Sequence, residues 1–195
     1  MGSAFAIDID PDVIARAKDG DKSAFKTIYE VFEKPVYSLA FRFCQNHATA
    51  SDILQECMLQ VFRSIHQFRE EAPFWSWLRK IAINQALMQI RRDKRDDQLE
   101  VLVDDQIDLS SIAARSAIER DLATAFAMLA PVRRAVLWLF AVEGYSHYEI
   151  AEATGYSESF SKSQVMRARR QLKNWWRRRG GGDLPVLDTD YDEHT

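Results

Sequence analysis

Glycine, proline and cysteine are scarce in this chain, and it contains no long hydrophobic run. Seven glycines and five prolines in 195 residues are too few for a fold with many tight turns, which favours helices over a turn-rich β-structure. The longest apolar run extends from Ala135 to Val142, whereas a helix needs about 20 apolar residues to span a bilayer. No membrane segment is therefore predicted.

The two cysteines, Cys44 and Cys57, lie in helix-like apolar patterns that lack the spacing of a metal site. We interpret both as buried thiols of a reducing compartment. The first ten residues lack the basic start and apolar core of a signal peptide, so we expect a cytoplasmic protein. No Gly-rich phosphate loop, metal cluster or catalytic triad is visible. No cofactor is predicted, and the sequence argues against an enzyme.

The distribution of charge is more informative than its sum. The formal net charge is -3, yet the segment from Tyr156 to Arg179 contains a single acid, Glu158. Its basic residues are Lys162, Arg167, Arg169, Arg170, Lys173, Arg177, Arg178 and Arg179. A basic face of this kind in an otherwise acidic chain is typical of nucleic-acid binding.

Apolar residues recur at helical spacing in the first half of the chain. Asp10 and Pro11 indicate a helix start and Gly20 a helix stop. A second helix begins at about Lys22, and we expect Pro35 to break or kink it. The clearest stripe comes next and consists of Ile53, Leu54, Cys57, Met58, Val61, Phe62 and Ile65.

Another helix begins near Pro73 and ends in a basic run. The composition changes after this helix, because residues 96–109 contain six acids and no bases. The acids are Asp96, Asp97, Glu100, Asp104, Asp105 and Asp108. We interpret residues 96–115 as an acidic linker. Helices resume near Ser116, and a further helix extends from Pro131 to Gly144.

The last elements predict a helix-turn-helix. Ser146 and Glu149 fit a capping box, Gly155 supplies a turn, and Ser157 can cap a longer basic helix that ends near Arg178. Three glycines and an acidic tail follow, which we expect to be disordered. The predicted fold is all-α, with two helical domains at 10–95 and 116–179, joined by the linker at 96–115 and followed by the tail at 180–195.

Two blocks of sequence resemble one family. The first contains AFKTIY at 24–29, DILQE at 52–56 and FWSWLRKIAIN at 74–84. The second contains LAPVR at 129–133, EGYS at 143–146, EIA at 149–151 and KSQVMRAR at 162–169. These blocks are similar to domains two and four of the extracytoplasmic-function (ECF) sigma factors of bacterial RNA polymerase.

The resemblance implies a sigma factor that directs core RNA polymerase to promoter DNA. Domain two would bind the polymerase β′ clamp helices through Asp52, Gln55 and Glu56, and domain four would adjoin the β flap. An acidic linker in this family can lie along the RNA path of polymerase, although a solvated tether is an equal alternative.

The resemblance also implies a −10 site in domain two. Asn84 matches a family position that helps hold a flipped −10 base, beside the loop from Phe68 to Ala72. A basic track is supplied by Arg79, Lys80, Arg91 and Arg92. Trp77 shares the apolar stripe of its helix and is interpreted as core. Trp75 lies off that stripe, so it could stack on DNA or be an ordinary half-buried tryptophan.

The last helix is expected to read the −35 element. Lys162, Ser163, Met166 and Arg167 share one face, on which Arg167 could bond a guanine edge and Met166 could contact a thymine methyl. The remaining bases, including Arg169 and Arg170, would contact phosphates. Gln164 stands where the family usually has a basic residue, which puts one phosphate contact in doubt.

One departure from the family lies at the start of the clamp-binding helix. Relatives open this helix with acid-Ala-acid-Asp, whereas this chain has TASD at 49–52. Thr49 could simply be the N-cap of the helix, with Asp52 completing a capping-box-like start. Alternatively, phosphorylation of Thr49, or less favourably Ser51, by a bacterial Ser/Thr kinase could restore the missing charge and activate the protein. The two interpretations are compatible.

Two other functions remain open. A stand-alone helix-turn-helix regulator would explain the C-terminal block but leaves the block at 52–84 without a purpose. A sigma-derived interaction protein could compete for the polymerase clamp without starting transcription. Co-purification with core polymerase separates the first from a sigma factor.

Overall fold

The computed structural model describes residues 7–96 and 124–179, and every regular element in these two ranges is a helix. The predicted all-α fold is confirmed. The helices belong to two compact units. The predicted linker after Asp96, the expected helix start near Ser116 and the acidic tail at 180–195 lie outside the described residues.

In the described part of the first unit, residues 7–96, four α-helices and a 3-10 turn together enclose an aromatic core. They are α1 (Pro11–Lys18), α2 (Lys22–Cys44), α3 (His47–Ser64), the 3-10 turn (Ile65–Gln67) and α4 (Phe74–Asp96). Asp10 caps α1 as predicted, since its side chain accepts a hydrogen bond from the amide of Asp12. Gly20 follows with a left-handed φ of 87°, a conformation that suits glycine.

Pro35 does not break α2, so the first of the two expected outcomes, a break or a kink, is wrong. The helix continues through it from Lys22 to Cys44. Phe32 and Val36, on either side of the proline, are both completely buried. Burial of these side chains offsets the hydrogen bond that proline removes, because tertiary packing routinely outweighs local helix preference.

The start of α3 differs from the predicted cap. Asn46 is the N-cap, and its Oδ1 accepts a hydrogen bond from the amide of Thr49 at 2.9 Å. Thr49 is therefore the third residue of the first turn, and the interpretation of Thr49 as the N-cap is wrong. Asparagine is among the strongest N-caps, and the earlier start adds a turn that buries Ala50 completely.

Cys57 is buried as predicted, and burial raises the pKa of its thiol to about 12. Cys44 is only half-buried, and its Sγ donates to the carbonyl oxygens of Ala40 and Asn46 at the turn between α2 and α3. The prediction of burial is thus right for Cys57 and wrong for Cys44.

The second unit contains the predicted helix-turn-helix. Its helices are α5 (Pro131–Ala141), α6 (His147–Thr154) and α7 (Glu158–Arg178), and residues 124–127 form a preceding helical turn. Ser146 and Glu149 form the complete capping box of α6. Gly155 ends α6 with a φ of 71°, and Ser157 caps α7 through the amide of Phe160. The buried face of α7 carries Val165, Ala168 and Leu172.

Candidate functional surfaces

The outer face of α3 combines acidic, amide and apolar side chains. Asp52, Gln55 and Glu56 are all exposed, as the clamp-binding prediction requires. Leu59 and Phe62 extend the same face and are 47% and 54% exposed. Phe62 had been assigned to the buried stripe, and that assignment is wrong. Its ring packs against Phe25 at 4.6 Å between centroids, so this face offers apolar contact area beside its charges.

Thr49 and Ser51 flank this outer face on opposite sides. With about 100° per residue, Thr49 lies next to Asp52 and Glu56, whereas Ser51 lies on the opposite edge. Both side chains are half-buried. The Thr49 hydroxyl makes no hydrogen bond to any described residue, since the cap uses only its backbone amide. A modification of that hydroxyl would therefore leave the Asn46 cap in place.

The exposed face of α4 brings together only part of the predicted −10 set. Lys80, Asn84 and Arg92 recur at intervals of four or eight residues and are all exposed. Met88, which the sequence interpretation did not include, completes the stripe and is also exposed. Arg91 is half-buried beside it. Arg79 is half-buried as well and lies about 140° around the helix from Asn84, so it does not belong to the same track.

Trp75 is a core residue, which contradicts the suggestion that it could stack on DNA. It is 6% exposed and lies parallel to Phe32, with 5.8 Å between ring centroids. Trp77 is the half-buried tryptophan of the pair, and its ring centroid lies 5.5 Å from those of Phe68 and Phe74. Trp77, interpreted as core, is thus the less buried of the two, and neither alternative given for Trp75, a DNA contact or a half-buried tryptophan, is correct. The buried face of α4 includes Leu78, Ala82 and Ala86 at helical spacing from Trp75. It is therefore rotated from the stripe that was chosen in the sequence.

Lys18 holds the loop that precedes α4, a role that the sequence interpretation missed. Its Nζ pairs with Glu70 Oε1 at 2.5 Å and lies 5.6 Å from the centre of the Phe68 ring. Glu70 has a left-handed φ of 61°, which is uncommon for a residue other than glycine. Phe68 itself is buried. The loop at 68–72 is thus held both by an aromatic anchor and by an ion pair.

The outer face of α7 carries the side chains expected at the −35 element. Lys162, Met166, Arg167 and Arg170 are exposed, and Met166 is 72% exposed. An exposed methionine next to basic side chains suits a groove that presents both base edges and methyl groups. Ser163 is half-buried, and its hydroxyl donates to the carbonyl of Phe160 at 2.8 Å. Its oxygen lone pairs remain available as acceptors.

Two residues of α7 that bear on the predicted phosphate contacts are turned inward. Arg169 is half-buried, and its guanidinium lies 5.7 Å from the centre of the Phe140 ring. Gln164 is 7% exposed and accepts a hydrogen bond from Arg133 Nε at 3.3 Å. Because Gln164 lies between α5 and α7, its glutamine side chain does not cost the exposed face a phosphate contact.

His147 joins the two helices of the helix-turn-helix. Its ring stacks on Phe140, with 4.5 Å between centroids, and its Nδ1 lies 2.9 Å from Ser161 Oγ at the start of α7. Burial lowers the pKa of His147, and the positive charge of Lys162 lowers it further against the opposing effect of Glu158. The neutral imidazole is therefore the form that supports this junction.

Lowering the pH from about 7.5 to 5.5 is expected to destabilise the second unit through His147. The unfolded state takes up a proton near its ordinary pKa of about 6.5, whereas the folded state resists protonation, so stability falls as the pH drops below that value. Thermal unfolding of the wild-type and His147→Asn proteins at both pH values measures the effect. The loss should be smaller in the variant, and equal losses would contradict the prediction.

Comparison with known proteins identifies the family. Residues 28–96 match the family Sigma-70 region 2, and residues 119–172 match Sigma-70, region 4. The ECF RNA polymerase sigma factor SigM of Mycobacterium tuberculosis is 30% identical over 166 residues, which are 84% of this chain and 82% of that protein. This chain belongs to the ECF RNA polymerase sigma factors. As a member of that family, it acts with RNA polymerase in transcription initiation.

Other relatives agree with this assignment. The ECF sigma factor SigE of Mycolicibacterium smegmatis is 31% identical over 166 residues, which are 80% of this chain and 64% of the relative. Among solved structures, the sigma factor RpoE of Bartonella quintana, crystallised with the anti-sigma factor NepR, has a TM-score of 0.54 at 22% identity. The match covers 78% of this chain and 96% of that one, and it supports the fold.

The match at 28–96 also bears on the alternative functions. A stand-alone helix-turn-helix regulator would need only the second unit, so it would leave the whole sigma region 2 match unexplained.

The helices that the structure describes include none long and apolar enough to cross a membrane.

Proposed function

We propose that this ECF sigma factor is switched on by phosphorylation of Thr49, at the edge of the surface that binds the polymerase β′ clamp helices. Residues 10–95 would form the polymerase-binding and −10 domain, and residues 116–179 the −35 domain. The acidic segment at 96–115 would connect them. A bacterial Ser/Thr kinase is the upstream partner in this proposal.

The phosphorylation proposal rests on the small number of acids on the outer face of α3. Asp52 and Glu56 are the exposed carboxylates there, and positions 49 and 51 are occupied by hydroxyl side chains where the family usually has acids. A partner surface that presents arginines and lysines is attracted by opposite charge, which sets both the encounter rate and the register of the complex. This face therefore begins with a deficit of about two negative charges.

Phosphorylation would correct that deficit at the right place. A phosphate adds about −1.5 to −2 charges at neutral pH. On Thr49 it would lie beside Asp52 and Glu56 and within the first turn of α3. The helix dipole favours an anion at this end of a helix. Because Asn46 retains the cap, the phosphate would be free to face the partner instead of substituting for a capping group.

On the promoter side, we propose that the α4 stripe of Lys80, Asn84, Met88 and Arg92 contacts the −10 element. Lys18 would position the adjoining loop. The −35 element would be read by the outer face of α7, with Arg167 and Met166 contacting bases and Lys162 and Arg170 contacting phosphates. Trp75, Arg79 and Arg169 are left out because their side chains are turned toward packed surfaces or away from these faces.

Transcription in vitro tests the switch. Three forms of the full chain are compared with core polymerase on a cognate promoter: unmodified, phosphorylated at Thr49, and Thr49→Ala treated with the same kinase. We expect the phosphorylated protein to be about tenfold more active than the other two, because about 1.4 kcal/mol of added interaction changes an equilibrium tenfold. Binding to core polymerase, measured in parallel, should show the same ratio.

Ser51→Ala is the matched control, since Ser51 lies on the opposite edge of the same face. It should leave activation by the kinase unchanged. Full activity of the unmodified protein, or of Thr49→Ala, would refute the switch while leaving the sigma assignment intact. Thr49→Glu restores a single charge, so we expect partial activity from it.

A further inference from the structure

Four arginines surround an open groove on the second unit. Arg133 contributes from the first turn of α5, and Arg167, Arg170 and Arg178 contribute from α7, with Gln171 and Asn174 between them. The groove has a volume of about 220 Å³. We call this feature the arginine groove. It lies along one side of α7, and only Arg167 and Arg170 also belong to the proposed DNA-reading face.

Among the residues that the structure describes, no carboxylate pairs with the four arginines of the groove. Arg133 is held by neutral partners, donating from Nε to Gln164 at 3.3 Å and from Nη1 to Gln171 at 2.8 Å. Gln171 is held in turn by the carbonyl of Met128 at 3.0 Å. Like charges gathered in a concave site favour a ligand with several negative charges.

The chain carries such a ligand immediately after α7. Arg178 ends the helix, three glycines occupy positions 180–182, and the following residues contain five acids and no lysine or arginine. These acids are Asp183, Asp188, Asp190, Asp192 and Glu193. The distance along α7 from Arg178 back to Arg167 is about 16 Å at 1.5 Å per residue. About five extended residues are enough to cover it.

We propose that the acidic segment 183–193 binds in the arginine groove and competes with promoter DNA for Arg167 and Arg170. The competition rests on the proposed −35 function, whereas the docking does not. Tethering gives the segment a high effective concentration at the groove, so individually weak ion pairs suffice to hold it. DNA phosphates present a denser line of charge and displace the segment once polymerase has placed the protein at a promoter.

DNA binding by the full chain tests the competition. One variant converts the five acids of the segment to amides (D183N, D188N, D190N, D192N, E193Q). The matched control converts five linker acids in the same way (D97N, E100Q, D104N, D105N, D108N), so both variants change the net charge equally. Affinity is measured by fluorescence anisotropy with a labelled duplex selected by the wild-type protein from a random pool.

The segment variant should bind the duplex about fivefold more tightly than the wild type at about 50 mM NaCl. This difference should disappear near 500 mM, because salt screens exposed ion pairs. The linker control should remain within about twofold of the wild type. Unchanged affinity in the segment variant, or an equal gain in the control, would overturn the competition.

Arg133→Gln with Arg178→Gln distinguishes the acidic segment from DNA as the occupant of the groove. Neither residue belongs to the proposed DNA-reading face. If the segment occupies the groove, this double variant should bind DNA as tightly as the segment variant, and combining the two sets of substitutions should add nothing. If DNA phosphates occupy the groove instead, the double variant weakens DNA binding equally with and without the acids, which would refute the docking.

Arginine side-chain NMR tests the docking without DNA. The Nε–Hε signals of Arg133, Arg167, Arg170 and Arg178 should shift between the wild-type and segment-variant proteins. Arg16, which is bonded to Asp21 in the first unit, serves as the internal control. Unmoved groove signals would overturn the docking whatever the DNA result. Shifted groove signals in a protein that binds no DNA would support the docking and refute the −35 function.

Discussion

Replacing Phe32 with alanine is expected to destabilise the first unit by about 3–5 kcal/mol, the usual cost of removing a large buried aromatic ring. Phe32 is completely buried and contacts Phe74 at 5.4 Å and Trp75 at 5.8 Å between ring centroids. Its loss leaves a cavity between α2 and α4 and removes the stacking partner of Trp75. A domain whose total stability is about 5–15 kcal/mol would become marginal.

Amide hydrogen exchange, measured on proteolytic peptides, shows which helices are destabilised. Amides of α2, α3 and α4 should exchange faster in Phe32→Ala, while those of α5, α6 and α7 should not, because each unit has its own core. Phe62→Ala is the matched control: it removes the same ring from a site that is 54% exposed and should change stability by less than about 1 kcal/mol. Similar losses in the two variants would contradict the assigned core.

Arg167→Ala is expected to cost about 2 kcal/mol at one position of the −35 element, which corresponds to roughly 30-fold in affinity for the preferred base. Arg167 is exposed on the outer face of α7 with no ion-pair partner among the described residues, so its guanidinium can meet a guanine edge with two donors. Its removal should also relax the choice of base at that position. The affinity of the holoenzyme for each of the four bases at every −35 position shows whether the loss of base preference is confined to one position.

Arg177→Ala supplies the comparison on the same helix. Arg177 lies near the C-terminal end of α7 and is exposed, and we expect it to contact the DNA backbone and not a base edge. We expect it to weaken binding about equally for every sequence and to reduce the salt dependence by about one phosphate contact. If Arg167→Ala behaves in the same uniform way, Arg167 is a phosphate contact and not a base reader.

The helix boundaries of the second unit could be predicted from the sequence because the capping interactions that set them involve only a few neighbouring residues. A capping box at Ser146 and Glu149, a left-handed glycine at 155 and a cap at Ser157 each involve neighbours in the chain. The alternation of apolar and charged residues in α7 then determines which side is buried. The helix-turn-helix and most of its outward side chains therefore follow from the sequence.

The N-cap of α3 and the roles of the two tryptophans could not be predicted from such local patterns. Asn46 and Thr49 are both good caps, and the choice depends on whether an extra turn can bury Ala50 within the unit. Trp75 is core because Phe32, which is distant in sequence, presents a parallel ring to it. Leu78, Ala82 and Ala86 lie at helical spacing from Trp75 and are also buried, but Phe74 and Trp77 indicate a neighbouring apolar face as well. Packing against α2 selected between the two faces.

The sequence by itself determined the helical class, the two sigma regions and the threonine in the first turn of α3, because those depend on composition, local spacing and residue identity. Tertiary structure decided which side chains are available. It buried Trp75 and Gln164, exposed Phe62, and gathered Arg133 with three arginines of α7 into one groove. Packing joins residues that are far apart in the chain, and the free energy of burial selects among faces that a single helix leaves equivalent.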